Sequence, residues 1–357
     1  MIELEKIELL ESQSGKCPLI AGPCSAESEQ QVLDGAHSLA RLGVRIFRAG
    51  VWKPRTRPGT FEGAGNKALE WLTQVRKETG MAVITEVANA RHVEAVLNAG
   101  IDMVWIGART TTSPFAVQEI ADALRGTRIP VLVKNPINAE LELWIGAFER
   151  LSGAGITKLA AIHRGFSSYY ERIYRYSPEW QIPIELRRRI PGLQVICDPS
   201  HMAGRSDLVP HLAQMALDMK ANGLFIEVHP HPENALSDVA QQLTPSQFEQ
   251  LTGNLIYHRE PEKVDLDYLE PYRNRLEEID MELVRNLAER FRITGSIGEY
   301  KNLKNLSILQ PDRYKAVSDE LVREGIKYGL DEKFIRLLFE AIHAESIRCQ
   351  INKNKTI

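Results

Sequence analysis

The sequence predicts an α/β protein, a closed (β/α)8 barrel, followed by a small all-α domain of three helices. Three observations predict it. Eight short apolar segments alternate with amphipathic helical stretches between residues 17 and 255. That alternation stops after Tyr257. The length of 357 residues also exceeds what one hydrophobic core ordinarily organises.

The eight strand candidates are 17–22, 44–49, 81–87, 102–107, 130–134, 159–163, 194–198 and 223–228. Each is β-branched or otherwise apolar and is bounded by Gly, Pro or a charged residue. Continuous apolar runs of this length suit strands buried on both faces of a parallel sheet. Helical spacing fills the gaps, as at 31–42, 66–79 and 90–99. Eight such units within roughly 250 residues point to a closed barrel.

Residues 258–271, HREPEKVDLDYLEP, are charged and carry Pro near both ends, which predicts a solvated linker. The expected division is a barrel at 1–257, a linker at 258–271 and a helical domain at 272–357. Leu276, Ile279, Leu283 and Leu287 recur three and four apart, as on one face of a helix over 272–292. Stretches 313–324 and 333–350 read as two further helices, with Pro311 before the first and Asp331 placed to cap the second. Three helices in about 85 residues make a marginal core, so this domain is expected to dimerise or dock. Gly295 and Gly298 each weaken helix propensity by up to ~1 kcal/mol, so packing must hold that stretch.

Composition excludes several classes. A net charge of -3 lacks the basic excess of a nucleic-acid binder. No apolar run reaches the roughly 18 residues of a membrane span. The N-terminus has no apolar signal core. Four cysteines, at 17, 24, 197 and 349, are too few for a disulfide scaffold. The expectation is a cytoplasmic protein with reduced thiols.

In such a barrel the active site lies at the C-terminal strand ends. There the chain places GPCS (22–25), RAGVWKPRT (48–56), Glu86, GART with Arg109, Lys134, His163-Arg164, DPSH (198–201) and EVHP (227–230), with Asp238 further on. Two chemical sets emerge. Cys24, His201, Glu227 and Asp238 mix S, N and O donors, which suits a divalent transition metal such as Mn, Fe, Co or Zn. Arg48, Lys53, Arg55, Arg109, Lys134 and Arg164 would repel one another unless a multiply anionic ligand sat among them. Taken singly, a cysteine at a strand end is usually core and a scattered Arg or Lys is usually solvated. Their joint placement after nearly every strand carries the reading.

The motifs GPCS, KPRT, IGART, VKNP, HRG and DPSH and the Glu/Asp pair resemble the type I 3-deoxy-D-arabino-heptulosonate 7-phosphate (DAHP) synthase family over residues 15–240. The resemblance implies condensation of phosphoenolpyruvate with erythrose 4-phosphate to DAHP and phosphate. It implies metal ligation by Cys24, His201, Glu227 and Asp238, and phosphoenolpyruvate contacts from Arg48, Lys53, Arg109, Lys134 and Arg164. Arg55 and Thr56 would hold erythrose 4-phosphate, Lys53 would act as general acid, and Glu86 would position water. Arg57 stands where many relatives carry Ser. A sibling synthase, which makes an eight-carbon sugar acid, typically has an Asn-rich segment in place of KPRT, so Arg55 favours the shorter aldose phosphate.

On the tail, Arg290 and Lys301 are eleven residues apart and share a helix face, whereas Arg273, seventeen before Arg290, faces elsewhere. Ser346 and Gln350 are one turn apart, and Arg313 opens the preceding helix. YRNRLEEID, LAERF, IGEYK, Arg313 and SIRCQ resemble the all-helical chorismate mutase family over 272–350. That implies rearrangement of chorismate to prephenate, with Arg273, Arg290, Arg313 and Ser346 binding and Lys301 and Gln350 stabilising charge on the ether oxygen. It also implies a homodimer in which Arg273 reaches the partner's site. Tyr314 and Gln310 replace a usual Glu and Asp. A second reading makes the tail a dimerising module that senses chorismate or prephenate and regulates the barrel.

Overall fold

The computed structural model describes residues 2–54, 59–168, 173–259 and 261–353. The chain forms two compact units, Met1–Arg259 and Glu260–Ile357. No helix among the described residues is long and apolar enough to cross a membrane.

In the first unit the elements alternate in the expected order: β1 (Leu19–Gly22), α1 (Glu29–Arg41), β2 (Ile46–Arg48), α2 (Asn66–Thr79), β3 (Ala82–Val87), α3 (Ala90–Asn98), β4 (Met103–Ile106), α4 (Ala108–Thr111), α5 (Pro114–Leu124), β5 (Val131–Lys134), α6 (Leu141–Gly153), β6 (Leu159–His163), α7 (Gln181–Arg189), β7 (Gln194–Cys197), α8 (Pro199–Ala203), α9 (Val209–Asp218), β8 (Gly223–Glu227) and α10 (Pro245–Asn254). The eight strands pair in parallel, in sequence order, and β1 closes on β8 with Leu19 opposite Leu224. Polar caps start the helices where the sequence supplies them. Ser28, Asn89, Ser113 and Thr244 each accept from a backbone N–H three residues on.

Side chains alternate between two apolar layers, as a strand's period of two requires. Phe47, Val83, Val104, Val133 and Ala161 face the helices. Ile20, Ile46, Ile84, Met103, Trp105, Leu132, Ile162, Ile196 and Phe225 fill the barrel interior. Ile7 and Leu10 join that interior cluster although no strand carries them. A single 3-10 turn at Glu8–Leu10 brings them beneath the strand starts, where Gln194 and Arg45 bond to Leu10 O and Leu9 O. The N-terminal segment therefore plugs the end of the barrel opposite the strand-end motifs.

The second unit holds α11 (Lys263–Leu303), α12 (Pro311–Lys327) and α13 (Glu332–Lys353). Asp331 Oδ1 accepts from Phe334 N, the cap expected there. Residues 263–271, expected within a solvated linker, are instead the opening turns of α11, and Pro271 lies inside the helix. Proline removes one backbone donor, but this stretch is solvent-exposed, so water can satisfy the freed carbonyl. Gly298 shows why packing holds a glycine-weakened helix. A Cβ there would stand 2.9 Å from Gln350 Cα, so its absence lets α13 lie directly on α11.

Candidate active sites

The period of two also builds the rim chemistry. Ile46, Ile84, Leu132, Ile162, Ile196 and Phe225 point into the barrel, and two residues beyond each stands Arg48, Glu86, Lys134, Arg164, Asp198 or Glu227. The same alternation that fills the core turns these six polar groups inward at the strand ends. All six are buried.

Arg48 is fully buried, with its guanidinium 4.5 Å from the Phe225 ring centroid, 5.0 Å from that of Trp105 and 3.3 Å from Glu227 Oε1. Its Nε and Nη1, and Nη1 of Arg164, have no hydrogen-bond partner among the described residues. Buried unpaired cationic donors are costly, and an anion among them satisfies them. Lys134 donates to Asp198 Oδ2 at 2.8 Å. Burial pushes Asp198 up, but His201 and Lys134 beside it hold its carboxyl well below the usual range. Trp105 Nε1 donates to Glu86 Oε2 at 3.2 Å and so fixes that carboxylate. Exposed Arg109, on α4, lines the same cavity as Lys53, Glu86, Lys134, Arg164 and His201.

Beside these cations lies the donor set. Cys24 Sγ, a Glu227 oxygen and an Asp238 oxygen lie within 4.8 Å of one another. His201 Nε2 stands 3.6 Å from Glu227 Oε1, while its Nδ1 is 2.8 Å from Asp198 Oδ2. Glu227 Oε1 accepts no hydrogen bond among the described residues. Lys53 Nζ is 3.0 Å from Cys24 Sγ and 3.1 Å from Cys24 O. Burial, and after it the Glu227 charge, pushes the Cys24 thiol up to about 12. Burial alone would pull Lys53 down, yet Cys24 and the carboxylates of Glu86 and Glu227 around it raise it. Arg55 and Thr56, assigned to the aldose phosphate from the sequence, lie outside the described residues, as does Arg57.

Sequence reasoning missed four groups. Gln242 Oε1 accepts from Cys24 N at 2.9 Å, and Gln241 Nε2 donates to Glu227 Oε2 at 2.7 Å. Arg175 Nη1 donates to Asp238 Oδ1 at 2.8 Å, and the Arg164 guanidinium stacks 3.5 Å above the Tyr176 ring. Three sit on loops and Gln241 ends a single 3-10 turn at Val239–Gln241, so no sustained periodicity marks their directions.

His163, the last residue of β6, faces the helix layer among Trp144, Phe166 and Trp180. Burial pushes its imidazole down to about 3. The unfolded chain takes up a proton near pH 6.5 that the fold refuses, so stability falls as pH drops from 6.5 towards 3. His163→Leu is expected to remove about 2 kcal/mol of the stability lost between pH 6.5 and 5. Urea unfolding followed by tryptophan fluorescence checks this, because all five tryptophans lie in the barrel unit. An unchanged pH slope counts against it.

In the helical unit, Arg290 Nη1 donates to Ser346 Oγ at 2.6 Å, and Lys301 Nζ donates to Ile308 O at 2.7 Å. Lys301, Ser346 and Gln350 are buried, and Gln350 Oε1 has no partner among the described residues. Arg273 and Arg313 are exposed, Arg273 standing 3.9 Å from Glu270. Tyr314 stacks on His343 at 3.9 Å.

A parallel barrel whose carboxyl rim gathers buried cations round a thiol and carboxylates defines an enzyme acting on small, multiply anionic substrates. The chain belongs to the DAHP synthetase I family, whose model matches residues 3–259, and the chorismate mutase type II model matches 272–351. It is 35% identical over 242 residues to a phospho-2-dehydro-3-deoxyheptonate aldolase of Thermotoga maritima, covering 68% of this chain and 70% of that one. A 2-dehydro-3-deoxyphosphooctonate aldolase of Caulobacter vibrioides is 28% identical over 259 residues, covering 68% and 87%. The crystal structure of the Thermotoga maritima DAHP synthase superposes with a TM-score of 0.61 at 33% identity, covering 67% of this chain and 68% of that chain. Its truncated form gives 0.60 at 31%, covering 70% and 90%.

Proposed function

We propose that the barrel condenses phosphoenolpyruvate with erythrose 4-phosphate to DAHP and phosphate, and that the helical unit rearranges chorismate to prephenate. The observation that carries the first is the ring of inward cations with buried, unpaired donors on Arg48 and Arg164. The family matches over both units support the pair of activities and do not favour a tail that only senses.

The donor set fits a divalent metal, held by Cys24, His201, Glu227 and Asp238. A softer ion such as Mn, Fe, Co or Zn suits the thiol. Once bound, such an ion supplies Lewis-acid polarisation of the aldehyde oxygen. The chain's own residues do the rest. Arg48, Arg109, Lys134 and Arg164 neutralise phosphate and carboxylate and aim C3 of phosphoenolpyruvate at the aldehyde carbon. Lys53, kept protonated by its negative neighbours, donates a proton to the aldehyde oxygen as the carbon–carbon bond forms. Glu86, held by Trp105, orients the water that adds to C2, and cleavage of the C2–O bond releases phosphate. Lys53→Met is expected to lower kcat about 100-fold or more and to leave the KM for phosphoenolpyruvate within threefold. A loss confined to KM would refute the acid role.

Arg55 of KPRT supports the four-carbon aldose phosphate over a five-carbon one. A paired assay tests the whole reading: phosphate release with either aldose phosphate and added Mn²⁺, alongside loss of chorismate absorbance. Absence of either activity overturns that half.

The mutase reaction needs no acid, base or nucleophile, only a held shape and a stabilised ether oxygen. Arg290 anchors a carboxylate, and Lys301 and Gln350 face the breaking bond. Arg273 sits seventeen residues before Arg290, about 25 Å along the helix axis. Val264, Tyr268, Tyr272, Leu276, Ile279 and Leu283 around it form an exposed apolar stripe, with Tyr268 69% and Leu276 60% exposed. A second copy pairing on this stripe buries it and completes the site with Arg273. Leu276→Glu is therefore expected to convert a dimer to a monomer in sedimentation equilibrium. A parent chain that sediments as a monomer overturns the pairing.

A further inference from the structure

We propose that Arg175, acting with Gln241, is a positioning residue that makes the cation and phosphoenolpyruvate bind cooperatively. The inference rests on the metal site proposed above.

Arg175 Nη1 donates to Asp238 Oδ1 and to Gln241 Oε1, each at 2.8 Å. Gln241 Nε2 in turn donates to Glu227 Oε2 at 2.7 Å. One guanidinium and one amide thus tie together the two carboxylates of the donor set. They leave Asp238 Oδ2 turned to Cys24 Sγ at 3.1 Å and Glu227 Oε1 without a hydrogen bond. Outer hydrogen bonds of this kind orient ligating carboxylates. Asp238 needs the anchor, because it is a non-glycine residue held at φ 49°.

The other side of Arg175 reaches the substrate cations. Its guanidinium stands 5.6 Å from the Tyr176 ring, against which the Arg164 guanidinium lies at 3.5 Å. Arg164 Nη1 is one of the buried unpaired donors. Tyr176 N donates to Met202 O at 3.1 Å and Arg175 N to Ala203 O at 3.4 Å, so the segment is pinned to α8, which carries His201. Gly204 leaves room for the arginine stem. A Cβ there would fall 2.5 Å from Arg175 Cβ. Arg175 keeps one side in solvent, its side chain 41% exposed, so these contacts rather than burial set its direction.

A cation that offsets the Asp238 and Glu227 charges releases the field of Arg175 towards Arg164 and its anion. An anion at Arg164 in turn eases the crowding of positive charge that opposes the metal. By linkage, each ligand tightens the other by the same factor.

The test titrates Co²⁺ into the full chain against a competing chelator, with and without phosphoenolpyruvate, and follows the cobalt–thiolate absorption band. Wild type is expected to bind Co²⁺ about fivefold or more tighter with phosphoenolpyruvate present. Arg175→Lys keeps the charge and loses the fork that spans two acceptors. Gln241→Met keeps the volume and loses both bonds. Each is expected to weaken Co²⁺ binding about 10- to 100-fold and to bring the phosphoenolpyruvate effect within twofold of none. A wild-type band with both variants binding and coupling like the parent overturns this inference alone. A wild type with no thiolate band overturns the metal-site reading and this inference with it.

Discussion

Cys24→Ser is expected to cut phosphate release from the barrel substrates by about 1,000-fold, close to 4 kcal/mol of transition-state stabilisation, and to leave chorismate consumption within twofold. The substitution changes little volume, so a packing explanation does not reach that size. What it removes is a soft donor. Burial and the nearby Glu227 charge push the Cys24 thiol up to about 12, so it becomes an anion only when a cation takes the proton's place. Lys53 at 3.0 Å favours that exchange. A serine hydroxyl at the same position is far harder to deprotonate and binds soft ions weakly. The check is phosphate release at saturating substrates, after dialysis against a chelator and re-addition of Mn²⁺. A Cys24→Ser chain matching its parent there would show that the thiol is only part of the core.

Arg290→Ala is expected to lower mutase kcat/KM about 100- to 1,000-fold with barrel turnover unchanged. Arg290 is held by Ser346 at 2.6 Å, in the same unit as buried Lys301 and Gln350. A reaction catalysed by fit and charge alone loses most of its rate when one such contact goes. Arg290→Lys is the sharper control, since an ammonium keeps the charge but cannot grip a carboxylate and Ser346 together. Less than a tenth of parent activity is expected from it. The tryptophan signal reports only the barrel unit, so it stays constant and circular dichroism must confirm that the helices remain. Full activity in Arg290→Ala would move the chorismate site away from this cluster.

Much of the barrel site was readable because one rule governs core and rim alike. Knowing that Ile84 or Leu132 lies inside a strand fixes where Glu86 or Lys134 points. His163 illustrates the converse, since one step of register turns it to the helix layer and away from the chemistry. Arg175 and Gln241 were not readable, because their directions come from loop contacts such as Ala203 O and the space at Gly204. The plug formed by Ile7 and Leu10 was equally silent, since a single 3-10 turn at Glu8–Leu10 is too short to show a period. In the tail, proline and charge at 258–271 imitate a linker, yet the helix runs on through Pro271 where solvent replaces the lost bond.

The 41-residue α11, exposed over its first half, has a consequence for how the two activities respond to dilution. The barrel groups described at the strand ends belong to one chain, so barrel turnover is expected to scale with the amount of protein. A mutase centre that borrows Arg273 from a neighbour obeys mass action in the protein itself. On the pairing proposed above, dilution is expected to lower chorismate consumption per chain before it lowers barrel turnover, so the ratio of the two products would report how much enzyme is present.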